Sequence, residues 1–242
     1  DFDPSNGVSL LTAGGTAENI FFAKYTANGK LSWAKQIGDA NKSAGLAIQT
    51  DDTGNVYLLS NFELSLSIDY DPGTGTSNMT GQGFKTIVLS KYTSNGDYVW
   101  AKSINGNADN YAHSMRLDEA GNIFIAGRFD GITDFDPSAA AATLTSIGAY
   151  NGFFAKYTNQ GNYMWANQLS GVISGEIDVN DLTLDNLGNL YLSGNYKTSC
   201  DFEPSPATTI RSNDGNSDFY VGKYTENGVL LWAIALDGTN DD

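Results

Sequence analysis

Four short phrases in the chain place two acidic side chains around an aromatic residue and end in proline. Side chains alternate along an extended segment, so the two acids of each phrase should point to the same side. Carboxylate oxygens at this spacing suit Ca²⁺, although calcium takes about six to eight oxygens and the phrase lacks an EF-hand loop. The candidate calcium ligands are Asp69, Asp71, Asp134, Asp136, Asp201 and Glu203.

The same phrases also have an architectural interpretation. The aromatic residue would fill space between sheets, the proline would stiffen the exit, and the aspartate would accept hydrogen bonds from turn backbone. The phrase first occurs as Asp1-Phe2-Asp3-Pro4 and then recurs three times. A structural device recurs once per repeat, whereas a single active site does not. The sequence therefore favours the structural role and predicts either no cofactor or Ca²⁺.

One group of acidic residues belongs to a single part of the chain. Glu176, Asp178 and Asp181 form the densest acidic cluster that has no counterpart elsewhere. In a repeat protein, non-repeated residues are where a binding site is expected, so these three are candidate binding residues. Glu176 and Asp178 are also the pair that a polysaccharide-acting enzyme could use, with carboxylates about 5–10 Å apart. That enzyme is the alternative to a non-catalytic function.

The remaining reactive side chains favour structural roles, and no catalytic residue is predicted. His113 is the only histidine, and it has neither a G-x-S-x-G motif nor a second histidine for zinc. Cys200 occupies a repeat position held elsewhere by Ile68 and Thr133, which indicates a small buried residue.

The lysines and tryptophans that recur in every repeat are also predicted to have structural roles. Each lysine should lay its stem along a sheet and meet a repeated aspartate, namely Asp51, Asp118 or Asp185. The tryptophans sit at one position of an alternating strand, which predicts burial in the core. These residues are Lys24, Lys91, Lys156 and Lys223, and Trp33, Trp100, Trp165 and Trp232.

These residues are positioned by a repeat of about 66 residues, because the four tryptophans lie 67, 65 and 67 residues apart. Each repeat holds one hairpin with an Asn-Gly or Gln-Gly turn, and three copies add a second with an Asp-x-x-Gly-Asn turn. Two hairpins make four strands. The sequence predicts an all-β propeller with negligible helix, three complete blades and one partial blade. It would form one domain or segment, 1–242, with units 1–68, 69–133, 134–200 and a partial 201–242.

The phrases FFAKYTANGKLSWAKQIGD and LDEAGNIFIAGRFDGITDFDPS resemble a secreted bacterial β-propeller family, the seven-bladed propeller repeat, in its DFDP-bearing variant. The resemblance covers essentially the whole chain and implies export, with a sorting domain elsewhere in a precursor. The chain departs from the family in having four units, of which the fourth is short. We expect either a piece of a longer repeat array or a homo-oligomeric subunit whose missing strands another chain supplies.

Composition narrows the partners. The net charge is -15 with only 13 Lys and Arg, so the sequence does not predict a basic surface that would bind the phosphate backbone of a nucleic acid. The sequence has no run of 18 apolar residues, so it predicts no membrane-inserted helix. We therefore predict a secreted or cell-surface module that acts as a scaffold, adhesion or assembly segment. Its expected partners are other domains or copies of the same protein, and a glycan or surface ligand.

Overall fold

A computed structural model describes residues 1–12, 18–38, 43–63, 67–171, 175–212 and 217–236. Within these ranges the chain is all β-strand and turn, without helix, as predicted. It follows that no helix in the described ranges is long and apolar enough to cross a membrane. All strand pairs within the sheets are antiparallel.

The first hairpin is a two-stranded sheet, and the three larger sheets follow it along the chain. Its strands are β1 (Ile20–Tyr25) and β2 (Leu31–Ile37). The first sheet has the order β12-β11-β8-β7-β4-β3. Its strands are β3 (Ser43–Thr50), β4 (Val56–Glu63), β7 (Lys85–Tyr92), β8 (Tyr98–Gly106), β11 (Ile132–Asp134) and β12 (Thr143–Thr145). A separate short hairpin comprises β5 (Ser67–Asp69) and β6 (Asn78–Thr80).

The second sheet repeats this arrangement in the order β18-β17-β14-β13-β10-β9, and the third has the order β15-β16-β19-β20. The strands of the second sheet are β9 (Asn110–Leu117), β10 (Ile123–Phe129), β13 (Asn151–Tyr157), β14 (Tyr163–Gly171), β17 (Ser199–Asp201) and β18 (Ile210–Ser212). Those of the third sheet are β15 (Glu176–Leu184), β16 (Leu190–Lys197), β19 (Asp218–Tyr224) and β20 (Leu230–Leu236).

The sheets are offset from the sequence units by one hairpin. Each four-stranded core joins the second hairpin of one unit to the first hairpin of the next, for example through the pairing of β4 with β7. The hairpin β19–β20, which the sequence assigned to a partial unit, therefore completes the third sheet. The incomplete element among the described residues is the first hairpin. The unit boundaries and the single-domain assignment stay predictions.

The turns form as their residue types require. Asp51 Oδ1 accepts hydrogen bonds from the backbone N–H groups of Thr53 and Asn55, at 3.1 and 2.9 Å. Gly54 then adopts φ +79°, a left-handed conformation that glycine reaches without steric cost. The turns at Asp118 and Asp185 repeat this geometry. Local turn chemistry thus fixes the hairpin registers.

Three apolar cores lie between successive sheets. Phe22 of the first hairpin packs on Tyr92 of the first sheet with ring centroids 4.6 Å apart. Phe154 of the second sheet packs on Tyr224 of the third at 4.8 Å. We call the side of a sheet that meets the following sheet its forward face, and the opposite side its back face. Burial between a forward and a back face is what holds neighbouring repeats together.

The prediction that the tryptophans are core residues is confirmed only in part. Trp33, Trp100 and Trp165 pack against the three apolar cores but are only partly buried, and Trp232 is 39% exposed. Trp33 lies beside the turn of the next sheet and donates its indole N–H to the Ser94 carbonyl at 3.2 Å. The polar indole N–H of Trp33 thus finds a backbone acceptor at the rim of the interface, whereas that of Trp165 is buried and lacks a partner within the described ranges.

Candidate functional site

The non-repeated acidic residues lie where the second and third sheets meet. Asp178 on β15 faces β9 and β10, and its side chain is only 15% exposed. Arg128 Nη1 lies 3.1 Å from Asp178 Oδ2, and His113 Nε2 lies 3.1 Å from Asp178 Oδ1. The arginine contact is a hydrogen bond, whereas the histidine contact has ion-pair distance without hydrogen-bond alignment. Asp178 thus joins the two sheets.

Aromatic rings hold the arginine in place. The Arg128 guanidinium lies 4.7 Å from the Tyr111 ring centroid and 4.6 Å from that of Tyr150. Such cation–π contacts each contribute about 0.5–2 kcal/mol, depending on desolvation. Lys85 lies 4.3 Å from the Tyr111 centroid, and its Nζ is 3.4 Å from Glu63. The cluster therefore continues from the second sheet to the first.

Glu176 and Asp181 are also engaged. Tyr150 donates its hydroxyl to Glu176 at 3.0 Å, and Lys197 Nζ lies 3.1 Å from the same carboxylate. Burial raises the pKa of Tyr150 to about 12, and its hydrogen bond to Glu176 acts in the same direction. Asp181 accepts hydrogen bonds from Ser114 and from Arg116, the latter at 3.3 Å.

The structure therefore places each of the three predicted acids against the protein's own donors. Glu176 and Asp178 are two residues apart on β15, as the sequence suggested, but each already has two partners. The sequence did not predict that His113 and Arg128 group with Asp178, because they lie 65 and 50 residues upstream of it. His113, for which the sequence indicates a structural role, is half-buried beside Asp178.

A small cleft of about 130 Å³ lies beside this cluster, between the first and second sheets. Asn61 of β4 lines it and is 8% exposed, and its side-chain oxygen lacks a hydrogen-bond partner within the described ranges. Glu63, Lys85, Tyr111 and His113 border the same cleft. A buried amide oxygen without a partner costs about 1–3 kcal/mol, so a ligand or water that donates a hydrogen bond to it would recover that free energy. Sequence reasoning missed Asn61, because Asn195 at the equivalent position makes it look repeated.

The acidic-proline phrases use their carboxylates to close loops. Asp69 Oδ1 accepts from the backbone N–H groups of Asp71 and Ser77 at 3.0 and 2.7 Å. Asp71 in turn accepts from Gly73 at 2.8 Å. The phrases at 134–137 and 201–204 repeat these bonds with Asp134, Asp136, Asp201 and Glu203. Within the described ranges, no three His, Cys, Asp or Glu side chains converge as metal ligands would.

The aromatic residues of these phrases are plugs beneath the loops. Tyr70, Phe135 and Phe202 are fully buried. The backbone carbonyl of each accepts a hydrogen bond from a buried tyrosine hydroxyl at 2.9–3.0 Å, donated by Tyr92, Tyr157 and Tyr224. The geometry supports the architectural interpretation of the phrase, and its calcium role stays a prediction.

Three of the four repeated lysines meet aspartates as predicted. The Nζ-to-carboxylate distances are 3.7 Å for Lys91–Asp51, 3.5 Å for Lys156–Asp118 and 3.2 Å for Lys223–Asp185. The prediction was wrong for Lys24, which donates to the Ser94 carbonyl at 3.1 Å. In each of the three pairs, the aspartate belongs to the hairpin that precedes the lysine in the same sheet. The sheet of Lys24 has only two strands among the described residues, so no preceding hairpin supplies such an aspartate.

The turn aspartates and the cysteine have shifted pKa values. Partial burial acts to raise the pKa of Asp51, but hydrogen bonds from Asn55 and Thr53 outweigh it and lower the pKa to about 2. A hydrogen bond from Asn189 is the main reason that the pKa of Asp185 lies well below its usual range. Cys200 is fully buried as predicted, and burial raises its thiol pKa to about 12. An unreactive thiol agrees with a packing role.

Comparison with known proteins supports a repeat fold and gives little on activity. The chain is 25% identical over 224 residues to an uncharacterized WD repeat-containing protein, L264, of Acanthamoeba polyphaga mimivirus. It is 22% identical over 182 residues to the regulatory protein FlaEY of Caulobacter vibrioides. These alignments cover 83% and 74% of the chain but only 16% and 18% of the relatives' lengths. No family model matches the chain. Together with the antiparallel sheets, the similarity to a WD-repeat protein agrees with a β-propeller-like repeat fold.

Proposed function

We propose that the chain is a non-catalytic β-propeller-like module of a larger bacterial surface or secreted protein, where it acts as a scaffold, adhesion or assembly segment. The repeated sheets, the net charge of -15 and the similarity to a repeat-containing protein support this role. Its partners would be other domains or copies of the same protein. No cofactor is required for such a role.

The engagement of the non-repeated acids carries the proposal. A glycosidase needs two carboxylates that face the sugar from either side of the scissile bond. Here Asp178 contacts Arg128 and His113, and Glu176 contacts Tyr150 and Lys197. These contacts join strands and sheets, so the acids are explained by the stability of the fold.

A glycan-hydrolysis panel tests this proposal against the enzyme alternative. We expect the chain to release no reducing ends from any polysaccharide. Asp178→Asn should lower the free energy of unfolding by about 1–3 kcal/mol, because Arg128 and His113 lose their charged partner. Glu119→Gln, at an exposed turn acid, is the matched control and should be neutral. Hydrolysis that disappears in a folded Glu176→Gln variant would refute the proposal.

The location is tested separately. Antibodies raised against the chain should label intact cells of the producing bacterium as strongly as permeabilised cells. Labelling that requires permeabilisation would contradict the extracellular role while leaving the scaffold role intact.

The Asn61 cleft favours small-ligand recognition as a second candidate function. Glu63 and Lys85 form an ion pair at its wall, so the cleft suits a neutral, hydroxyl-bearing ligand such as a sugar better than an ion. Titration of the chain with mono- and oligosaccharides, followed by the side-chain amide NMR signals of Asn61, tests this. Binding should be lost in Asn61→Ala and kept in Asn195→Ala, at the equivalent position. Signals that do not move with any sugar would dismiss the candidate.

A further inference from the structure

One edge strand of each sheet contains an extra residue, and the type of that residue differs between the sheets. The strands are β3, β9 and β15, which hold equivalent positions at the edges of the first, second and third sheets. The pairing of β3 with β4 skips Leu46, that of β9 with β10 skips His113, and that of β15 with β16 skips Asn180. Such a β-bulge re-aims the side chain of the extra residue. The three copies can therefore be compared at this position.

In the third sheet the bulge residue bonds to the neighbouring strand. Asn180 donates its side-chain amide to the side-chain oxygen of Asn195 at 2.7 Å. Asn195 is equivalent to Asn61 of the first sheet, because each pairs with the residue two positions before the bulge. The third sheet thus provides its own donor for this amide oxygen.

The second sheet engages the same two positions through the sheet that follows it. His113 is its bulge residue, and Arg128 is equivalent to Asn61 by strand pairing. Nitrogen atoms of both side chains lie 3.1 Å from carboxylate oxygens of Asp178. Both positions are thus occupied by contacts within the protein.

The first sheet is the exception, because its bulge residue cannot donate a hydrogen bond. Leu46 is a hydrocarbon side chain that is 38% exposed at the wall of the cleft. The Asn61 side-chain oxygen is buried and lacks a hydrogen-bond partner within the described ranges. Leucine at the donor position therefore leaves this oxygen to be bonded by a molecule that enters the cleft.

The lining of the cleft defines the chemistry of that molecule. Ala44, Leu46 and Ala112 form an apolar wall near Asn61. The volume of about 130 Å³ is smaller than the roughly 300–1,000 Å³ of a pocket that encloses a drug-sized ligand, so the cleft admits one end of a ligand. A hydroxyl can donate to Asn61, but a further hydroxyl against the apolar wall would lose its hydrogen bonds to water. The cleft therefore suits a hydroxyl that adjoins a hydrocarbon group.

We infer that Leu46 holds the cleft open to a ligand, and that the ligand presents a hydroxyl donor beside a hydrocarbon face, as a deoxy sugar with a terminal methyl group does. The inference rests on the small-ligand recognition proposed for the Asn61 cleft and adds the residue that permits it. A similar cleft of about 100 Å³ lies at Asn195 in the third sheet, but Asn180 already bonds the oxygen there. Recognition is therefore expected at the first sheet and not at the third.

Titration with matched sugar pairs tests the ligand class. L-fucose is compared with L-galactose, and L-rhamnose with L-mannose, because each pair differs only in whether the terminal carbon carries a hydroxyl. At least one deoxy sugar should shift the side-chain amide NMR signals of Asn61, and its hydroxylated parent should bind about tenfold to a hundredfold more weakly. Equal affinity within both pairs would overturn the hydrocarbon face.

Variants at Leu46 test the residue itself. Leu46→Asn gives the first sheet the donor that the third sheet has, so it should weaken binding of the deoxy sugar by about tenfold or more. Leu46→Val is the matched control, since it is apolar and has no donor, and it should keep the wild-type affinity. Without ligand, Leu46→Asn should melt about 2–4 °C above Leu46→Val, because the new amide bonds the Asn61 oxygen.

The two readouts separate the inference from the function on which it rests. If none of the four sugars shifts the Asn61 signals of the wild type, the ligand class and the sugar-binding role are both overturned, and the melting temperatures judge Leu46 alone. Undiminished sugar binding by Leu46→Asn, or equal melting temperatures of Leu46→Asn and Leu46→Val, would overturn the assignment to Leu46. Either of these results would leave the sugar-binding role intact.

Discussion

The contact between a turn glycine and the tryptophan of the preceding sheet allows a quantitative test of how the sheets are stacked. Gly161 has φ +74°, and a Cβ there would lie 2.9 Å from a Trp100 ring carbon and 3.1 Å from Lys102 Cγ. Gly121 in the same sheet has φ +78°, but its nearest neighbour would be at 3.4 Å, an ordinary contact distance. The two positions share the backbone cost of a substitution and differ in the inter-sheet contact.

The magnitudes follow from these distances. Alanine in a left-handed conformation costs about 1–2 kcal/mol, so Gly121→Ala should lower the free energy of unfolding by that amount. Gly161→Ala should cost about 1–3 kcal/mol more, since the methyl group overpacks the interface with Trp100. We expect a total loss of about 2–5 kcal/mol at Gly161.

Urea denaturation monitored by tryptophan fluorescence measures both variants, and an unchanged m-value keeps the comparison valid. Because the extra cost arises from the Trp100 ring, it should largely disappear when Gly161→Ala is made in a Trp100→Leu background. Equal losses at Gly161 and Gly121 would refute the stacking of the second sheet on Trp100.

Three further predictions concern the repeated polar groups. Lys156→Met should change stability by less than about 1 kcal/mol, whereas Asp118→Ala should cost about 3–5 kcal/mol in a urea titration, because it leaves a lysine that is 6% exposed without its carboxylate. Asp51 has a folded-state pKa of about 2, so its stabilising contribution is complete above its unfolded pKa near 3.9 and is lost as pH falls toward 2. In an acid titration, the free energy of unfolding of Asp51→Asn should therefore fall less steeply between about pH 4 and pH 2 than that of the wild type. Because Asp69 and its equivalents already accept backbone hydrogen bonds, EDTA or excess Ca²⁺ should leave the melting temperature unchanged, and a calcium-dependent rise would restore the calcium role.

The hairpins could be predicted from sequence because their causes are local. A turn such as Asp51-x-x-Gly54-Asn55 contains both the hydrogen-bond acceptor and the glycine that it requires. The Lys–Asp pairs were predictable for the same reason, since both members recur with the repeat. A period alone does not say where one sheet ends and the next begins, so the offset between units and sheets was not predictable.

The candidate site was less predictable, because its contacts join residues that are distant in sequence. Asp178 could be singled out as non-repeated, but its meaning depends on Arg128 and His113, which another sheet contributes. The sequence does not show which residues are neighbours in space, so a carboxylate that is paired in the fold cannot be distinguished from a free one. The prediction that Trp232 is buried was wrong for a different reason. Its position in the repeat was recognised, but the burial of that position depends on a neighbouring sheet as well as on the residue type.

The non-repeated residues also make the interfaces between sheets unequal. Asp178 and Asp181 add ionic contacts between the second and third sheets, on top of the apolar core that every interface has. The interface between the first and second sheets contains the cleft and the Asn61 side-chain oxygen, which lacks a hydrogen-bond partner within the described ranges. In a repeat protein, stability is approximately a sum of repeat and interface contributions, so the interface with the cleft should open more readily. Within the described ranges no salt bridge joins the first and second sheets, so a ligand that bonds Asn61 would strengthen this interface and change how the first sheet and its hairpin are held against the other sheets.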